Sequence, residues 1–370
     1  MDFSYSDEQQ AAIELARQIL SDHCTPQRLR ALELSGEPRF DRALWRKLAD
    51  AGLLAAAVPE AQGGADLGFL SIAGIVEQVG RTAAPVPLLE TMVMGALPLA
   101  RFGSAAQKER WLPKAATGEV VLTAALVEPH REPTAPGTRA IQDGEGFRLT
   151  GRKVCVPAGG LADLFLVPAR DDVGLGVYLV DAKAEGVRQT PLATTSQQPE
   201  SLLELDAAPG ELLGGAGQGG EIVDWVELRT TAALCALATG VCSEALRLTA
   251  EYTKTRKQFD QPIATFQAVA QRAADAFIDT EAVRLTALQA AWRIESDLPA
   301  DAAVAAAKYW AAQGGSRVVR AAQHLHGGVG VDREYPLHRF YVYARQLELT
   351  LGGATTQLRR LGRLIASEAA

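Results

Sequence analysis

Apolar positions recur along this chain with two periods, and the change of period divides it. Up to about residue 120 the spacing is helical. Ser6, followed by Glu8 and Gln9, predicts a capped helix start, and Ile13, Ala16 and Ile19-Leu20 supply that helix's apolar stripe. Phe40 to Ala51 follows with Leu44, Trp45 and Leu48 on one side. Pro59 to Gly68 reads as a glycine-rich turn, and Leu70 to Gly80, Leu88 to Phe102 and Ala105 to Ala115 as further helices. Near residue 120 the runs become short and β-rich: Val120 to Val127, Phe147 to Gly151, Lys153 to Val156, Leu164 to Val167, Gly176 to Val180 and Leu202 to Leu205. Turn signals at Asp143-Gly144, Gly159-Gly160 and Asp171-Asp172 separate them, which predicts a small antiparallel β domain. Gly210 to Gly220 reads as a link. From Glu221 the helical period returns, in a long Ala/Leu-rich helix whose only glycine is Gly240, then over Thr265 to Ser296, Ala302 to Leu325 and Thr355 to Glu368. Helices of this length need neighbours, so a bundle is expected. The fold class read from the pattern is mainly α with a β middle domain, divided as 1–120, 121–214 and 221–370.

Composition narrows the class. A chain of 370 residues can build two or three packed units with a large core. A net charge of −7 and a pI near 5.4 argue against nucleic acid as the main partner. Cys24, Cys155, Cys235 and Cys242 are scattered, without the spacing of a zinc site or a disulfide framework, and suit a reducing cytosol. The first twenty residues carry early acids and no basic stretch, unlike a signal peptide. The longest apolar runs are Ala-rich and fall short of a membrane span. A soluble cytoplasmic protein is expected.

Candidate chemistry starts at the end of the first long C-terminal helix. Lys254, Arg256 and Lys257 suit the negative end of a helix dipole, and Pro262 stops propagation. The cluster is either a capped surface end or a group of cations aimed at an anion. The string Arg256-Lys257-Gln258-Phe259-Asp260-Gln261-Pro262-Ile263, with Phe266-Gln267, is similar to the R-x-Q-F-G-x-P-I-x-x-F-Q signature of the acyl-CoA dehydrogenase family. His326-Gly327-Gly328-Val329-Gly330 with Glu334-Tyr335-Pro336 resembles that family's H-G-G-x-G-x-x-x-E-Y-P segment. Val58-Pro59-Glu60, Gly63-Gly64 and Glu128-Pro129 extend the resemblance over nearly the whole chain.

The resemblance implies a fold: an N-terminal helical domain, a small antiparallel β-barrel domain and a C-terminal four-helix bundle. It also implies a reaction, α,β-dehydrogenation of an acyl-CoA thioester, with a carboxylate taking the α proton and FAD the β hydrogen. By the same resemblance Arg256, Gln258, Phe259, Ile263, Gln267, His324, Gly327 and Gly328 are the cofactor-binding positions, reaching towards FAD held mostly by a neighbouring subunit. His324 stands where the family usually has Gln, and a neutral imidazole can still donate one hydrogen bond. Other positions depart further. The family's T-E-P-x-A-G-S-D reads Val127-Glu128-Pro129-His130-Arg131-Glu132-Pro133, and its flavin-packing K-x-W-I-T-N falls on Arg152 to Pro157 without Trp or Thr. Where most members carry a basic Glu, this chain has Leu349-Thr350-Leu351-Gly352-Gly353-Ala354-Thr355-Thr356. The base that some members place on the long helix falls on Thr230-Thr231, with Glu227 almost one turn earlier as a weak substitute.

This imbalance resembles the non-catalytic subunit of the heterotetrameric acyl-CoA dehydrogenases of actinobacterial steroid side-chain catabolism. It implies a second acyl-CoA dehydrogenase-like subunit in an α2β2 assembly, an acyl-CoA substrate and an electron-transfer acceptor. Two readings stand beside it: a self-sufficient FAD enzyme with an unusual base, and a purely structural subunit. His23-Cys24 lacks a third group for nucleophilic catalysis, and His326 and His338 lack metal-ligand spacing. Trp45, Trp111, Trp225, Trp292 and Trp310 read as packing residues.

Overall fold

The computed structural model describes residues 3–144 and 146–368. Helices come first: α1 (Asp7–His23), α2 (Pro26–Leu34), α3 (Arg42–Asp50), α4 (Gly68–Thr82), α5 (Leu97–Phe102) and α6 (Ala105–Ala116). The strands follow: β1 (Leu122–Ala124), β2 (Arg139–Asp143), β3 (Gly146–Pro157), β4 (Leu164–Arg170), β5 (Leu175–Asp181), β6 (Val187–Leu192) and β7 (Glu200–Leu213). Then come α7 (Gly219–Thr255), the two-residue strands β8 (Lys257–Gln258) and β9 (Gln261–Pro262), α8 (Gln267–Glu295), α9 (Asp301–His326), α10 (Leu337–Leu349) and α11 (Ala354–Glu368). The expected order, helical then β then helical, is present.

Local chemistry sets several boundaries. Ser6 caps α1 reciprocally with Gln9: the Gln9 N–H donates to Ser6 Oγ at 3.2 Å and the Ser6 N–H to Gln9 Oε1 at 3.1 Å. Thr25 caps α2 with Pro26 at its first position, and Asp41 accepts the Leu44 N–H at 3.0 Å to start α3. The structure also departs from the sequence expectations. Helices α2 and α10 and strands β2 and β6 were not foreseen, and the C-terminal region carries five helices rather than four. Phe147–Gly151 and Lys153–Val156 are one strand, β3, with register shifts inside it between Leu149 and Gly151 and between Lys153 and Val156. Strand β7 runs to Leu213, so the glycine-rich link is shorter than expected. Just before α5 the backbone takes a π-helical path over Glu90–Ala96.

The chain forms two compact units, each discontinuous in sequence. One comprises the chain up to Ser35, Phe69–Ala84 and everything from Thr231. In it α9 is the hub, packed by α8, α10 and α11. Helices α4 and α7 cross backbone to backbone: a Cβ on Gly80 would overlap the Leu237 carbonyl, and one on Gly240 the Glu77 carbonyl. The Glu295 carboxylate caps α4, accepting the N–H groups of Phe69 at 2.5 Å and Leu70 at 3.2 Å. A buried bidentate pair, Arg339 to Glu33 at 2.6 and 2.9 Å, ties α10 to α2. Helix α7 is long and apolar enough to cross a membrane by length and composition alone, but 72% of its most apolar window is buried inside the protein, as in a core helix.

The other unit comprises Gly36–Gly68 and Pro85–Thr230. Its seven-stranded sheet closes on itself: β4 pairs β2, β2 pairs β3, β3 pairs β7, β7 pairs β5 and β5 returns to β4, with β1 added beside β4 and β6 beside β7. It is not purely antiparallel, because β1 and β2 both run parallel to β4. Leu149, Val156, Phe165, Val167, Tyr178, Val180, Leu203 and Leu205 fill the interior. Beside them lies a charged lock. Lys153, fully buried, donates to Glu128 Oε1 and to the Pro168 carbonyl, both at 2.7 Å. Glu128 also accepts Gly137 N–H at 2.6 Å, Thr138 N–H at 3.1 Å and Thr138 Oγ1 at 2.6 Å. Desolvation raises the carboxyl, but Lys153 and these hydrogen bonds outweigh it and hold Glu128 at about 2.

Candidate functional site

The cofactor-binding residues expected from sequence lie in one unit, on the hairpin after α7, the start of α8 and the end of α9. Lys257–Gln258 pairs with Gln261–Pro262, so Phe259 and Asp260 form a two-residue turn, both with left-handed backbone (φ 53° and 63°). Asn-Gly is the low-strain choice for such a turn. A phenylalanine there, 89% exposed, is an outlier of backbone and of burial together. Its ring meets Phe266 edge-on, at 6.2 Å.

Arg256 is exposed and forms no ion pair or side-chain hydrogen bond among the described residues. Its backbone is fixed at both faces: its N–H donates to the Tyr252 carbonyl at 2.8 Å and its carbonyl accepts the Ile263 N–H at 2.9 Å. Ile263 is half-buried, Gln258 and Gln267 are exposed, and the Gln258 amide folds back on the Lys257 carbonyl at 2.8 Å. Helix α8 starts without a side-chain cap, which leaves first-turn N–H groups open to an anion. At the end of α9, Gly327 takes φ 60°, ψ −137°, a conformation confined to glycine. No atom comes within 4 Å of a Cβ built on Gly327 or Gly328, and both are exposed, as is His324. Aromatic contact unites the segments, because Tyr252 near the end of α7 stacks on His326 at the end of α9 with centroids 4.3 Å apart.

An unpaired guanidinium, an uncapped helix start and two bare glycines at one end of a helical unit fit a pyrophosphate-bearing group such as FAD.

The base positions are different. Thr230 and Thr231 are buried, and neither hydroxyl has a hydrogen-bond partner among the described residues. Glu227 is half-buried and is not a free carboxylate. The segment where most of the family carries Glu is a tight turn, with Leu351 at φ 52° and Gly352 at φ 91°. It is pinned from below: the Gln357 amide donates to the Leu351 carbonyl at 3.0 Å, and buried Lys308 donates to the Leu347 and Glu348 carbonyls at 2.7 and 3.3 Å. Desolvation pulls the Lys308 ammonium down to about 8. Glu348 itself is engaged by Arg345. No residue from Leu349 to Thr356 can accept a proton at neutral pH.

The flavin-packing positions, in the β unit, are also altered. Cys155 lies on a bulge of β3 at φ 49°, exposed, and burial of the thiol together with Glu200 pushes it up from the ordinary cysteine value. Pro157 ends the strand, and its carbonyl accepts Thr123 Oγ1 at 2.8 Å. The Glu128 carboxylate points into the barrel lock, and its neighbour His130 sits at φ 59°.

Sequence reasoning passed over Glu90. It lies on the π-helical segment, and burial pushes its carboxyl up to about 7, with nearby Glu200 adding to the shift, although the residue keeps a fringe of exposed surface. The signal was present: Glu90 is the one charged residue in Leu88-Leu89-Glu90-Thr91-Met92-Val93-Met94.

Comparison with known proteins agrees with this architecture. The sequence profile of the acyl-CoA dehydrogenase N-terminal domain matches residues 6–119, and that of the acyl-CoA dehydrogenase C-terminal domain matches 218–366. The chain belongs to the acyl-CoA dehydrogenase family, oxidoreductases that act on CH–CH bonds with FAD. It is 44% identical over 374 residues to acyl-CoA dehydrogenase FadE27 of Mycobacterium tuberculosis, covering 99% of each chain. Among solved structures it is similar to a chain of the ChsE4-ChsE5 complex from Mycobacterium tuberculosis (TM-score 0.94, 44% identity, 99% of each chain). It is also similar to a chain of a variant of the Tcur3481-Tcur3483 steroid ACAD (TM-score 0.92, 45% identity, 98% of this chain and 99% of that one).

Proposed function

We propose that this chain is the subunit of a cytoplasmic hetero-oligomeric acyl-CoA dehydrogenase that completes the FAD site of a second, catalytic subunit and supplies no base of its own. The observation that carries the reading is the exposed Arg256, without an ion pair among the described residues, and the open Gly327-Gly328 stop, on helices joined by the Tyr252–His326 stack, set against a base segment with no carboxylate. Arg256, Gln258, Phe259, Ile263, Gln267, His324, Gly327 and Gly328 would hold the pyrophosphate and adenosine end of the cofactor. FAD, when bound, supplies the hydride-accepting chemistry. This chain's contribution is electrostatic and steric: Arg256 neutralises phosphate charge through paired N–H donors, and the glycines let backbone N–H groups come close. Proton abstraction and flavin stacking fall to the second subunit, because Thr230, Thr231 and Cys155 can do neither. The likeness to a chain of the ChsE4-ChsE5 complex and to a steroid ACAD supports an α2β2 assembly and a steroid-derived acyl-CoA substrate, with electrons leaving to an electron-transfer acceptor.

A second reading is a self-sufficient dehydrogenase whose base is a carboxylate outside the Leu349–Thr356 segment, Glu227 or Glu90. One purification separates the two. The chain alone should carry little flavin, and co-expression with an acyl-CoA dehydrogenase-like subunit should give about one flavin per pair of unlike chains. Arg256→Ala should weaken retention of that flavin about tenfold or more, the worth of one charge-assisted pair. A homo-oligomer of this chain with a flavin in every subunit and turnover of an acyl-CoA would overturn the proposal, and Glu90→Gln would then become the first catalytic test.

A further inference from the structure

The two segments proposed to hold FAD are far apart in sequence and belong to different helices. Their meeting is built from three rings. Tyr252 stacks on His326 with centroids 4.3 Å apart and planes inclined by 24°. Tyr335 meets both, at 5.1 Å from His326 and 6.2 Å from Tyr252. His326 is only 2% exposed. Its Nδ1 faces the Ala322 carbonyl at 2.8 Å, and its Nε2 faces the Tyr335 hydroxyl at 3.2 Å. A carbonyl can only accept, so Nδ1 carries the proton. Nε2 then holds a lone pair and accepts the Tyr335 O–H. Both contacts are satisfied by the neutral ring, and burial favours that form.

Two of the rings are one step from a proposed phosphate-binding group, and the third holds them. The Tyr252 carbonyl accepts the Arg256 N–H, so the stack fixes where the last turn of α7 releases the arginine. His326 directly precedes Gly327, so the same stack fixes where the glycine backbone turns outward. Tyr335 is anchored in turn: its carbonyl lies 2.7 Å from His338 Nδ1, and its neighbour Glu334 pairs with Arg30 at 2.9 Å.

We infer that Tyr252, His326 and Tyr335 form an uncharged brace that sets the spacing between Arg256 and Gly327-Gly328, and that they act as positioning residues for FAD retention. The inference rests on the FAD-completing role proposed above. An uncharged brace suits the place, since it aligns the arginine without adding an acid that would pair with it.

The test uses this chain co-expressed with a second acyl-CoA dehydrogenase-like subunit. Release of FAD is followed by the rise of flavin fluorescence after dilution, and assembly by size-exclusion chromatography. Tyr252→Leu keeps an apolar side chain but loses the flat face, and should speed FAD release about tenfold with assembly unchanged. Tyr252→Phe keeps the ring and should restore the parental rate, a rescue that a general packing role confined to bulk would not require. Tyr335→Phe removes one hydroxyl from the surface of the brace, and should speed release about threefold. It decides the matter if Tyr252→Leu fails to assemble. Parental release from both Tyr252→Leu and Tyr335→Phe, with fast release from Arg256→Ala, would overturn the brace and leave the FAD-completing role standing. Parental release from Arg256→Ala as well would overturn the FAD-completing role itself.

Discussion

Tyr252 and His326 lie ring on ring, 4.3 Å apart, at the place where α7 and α9 end together. This contact joins the ends of the two helices that lead into the Arg256 string and the Gly327-Gly328 string. Neither string has much local reason for its shape. Phe259 and Asp260 hold left-handed backbone, and Gly327 takes a conformation that only glycine tolerates, so the strain is held by the helices behind them. Left-handed backbone and exposure thus sit beside the aromatic contact that joins the two helix ends.

The crossing of α4 and α7 should be intolerant of the smallest side chain. In an exposed helix Gly240→Ala would stabilise by up to about 1 kcal/mol. Here the new methyl would overlap the Glu77 carbonyl, so the substitution should cost about 1–3 kcal/mol, and Gly80→Ala should do the same against Leu237. Urea denaturation of the two variants reads the sign, and a gain in stability from either would show that the helices separate freely.

Lys153→Met should cost about 3–5 kcal/mol, because it leaves the buried Glu128 carboxylate without its cation. The Glu128 carboxyl sits near 2 in the fold, below its ordinary 4.5. Its contribution is therefore complete above 4.5 and is lost as pH falls towards 2. In Lys153→Met the carboxyl can escape by taking up a proton, so the deficit against the parent should shrink between pH 7 and pH 4.5. Adding Glu128→Gln should recover part of the loss at pH 7. A deficit constant with pH in thermal unfolding would contradict the lock.

Glu90 should work in the opposite direction. Its folded value of about 7 lies above its ordinary 4.5, so between these limits the folded chain binds more protons than the unfolded one. Stability from this residue falls as pH rises from 4.5 to 7, and the full cost is present above 7. Glu90→Gln should stabilise by about 2 kcal/mol at pH 8, discounted for residual exposure, and by little at pH 4.5. Chemical denaturation at the two pH values checks it: equal gains at both would mean that the carboxyl does not titrate there.

Much of the fold was legible because its signals are local. The Ser6 and Gln9 pairing starts α1, Gly327 stops α9, and Asp143-Gly144 turns β2 into β3, each within a few residues. The elements passed over carry weak local signals. Helix α2 buries only Leu29, and β6 has no buried residue at all. The parallel pairing of β1 and β2 with β4 depends on partners distant in sequence, which periodicity does not reveal.

The site divides in the same way. Sequence by itself determined which chemistry the chain can offer: Arg256 and paired glycines are present, and a carboxylate is missing from Leu349 to Thr356, because side-chain identity fixes charge and basicity wherever the residue lies. Tertiary structure decided which groups are free to act. Arg256 stands exposed and unpaired among the described residues while Arg339, equally cationic, is consumed by Glu33, and Glu90 is pushed towards neutrality by burial. Gly240 shows the division within one residue: its place in the helix was plain in the sequence, and its reason, a carbonyl arriving from α4, was not. Desolvation, ion pairing and close backbone approach are set by neighbours that only folding brings within range.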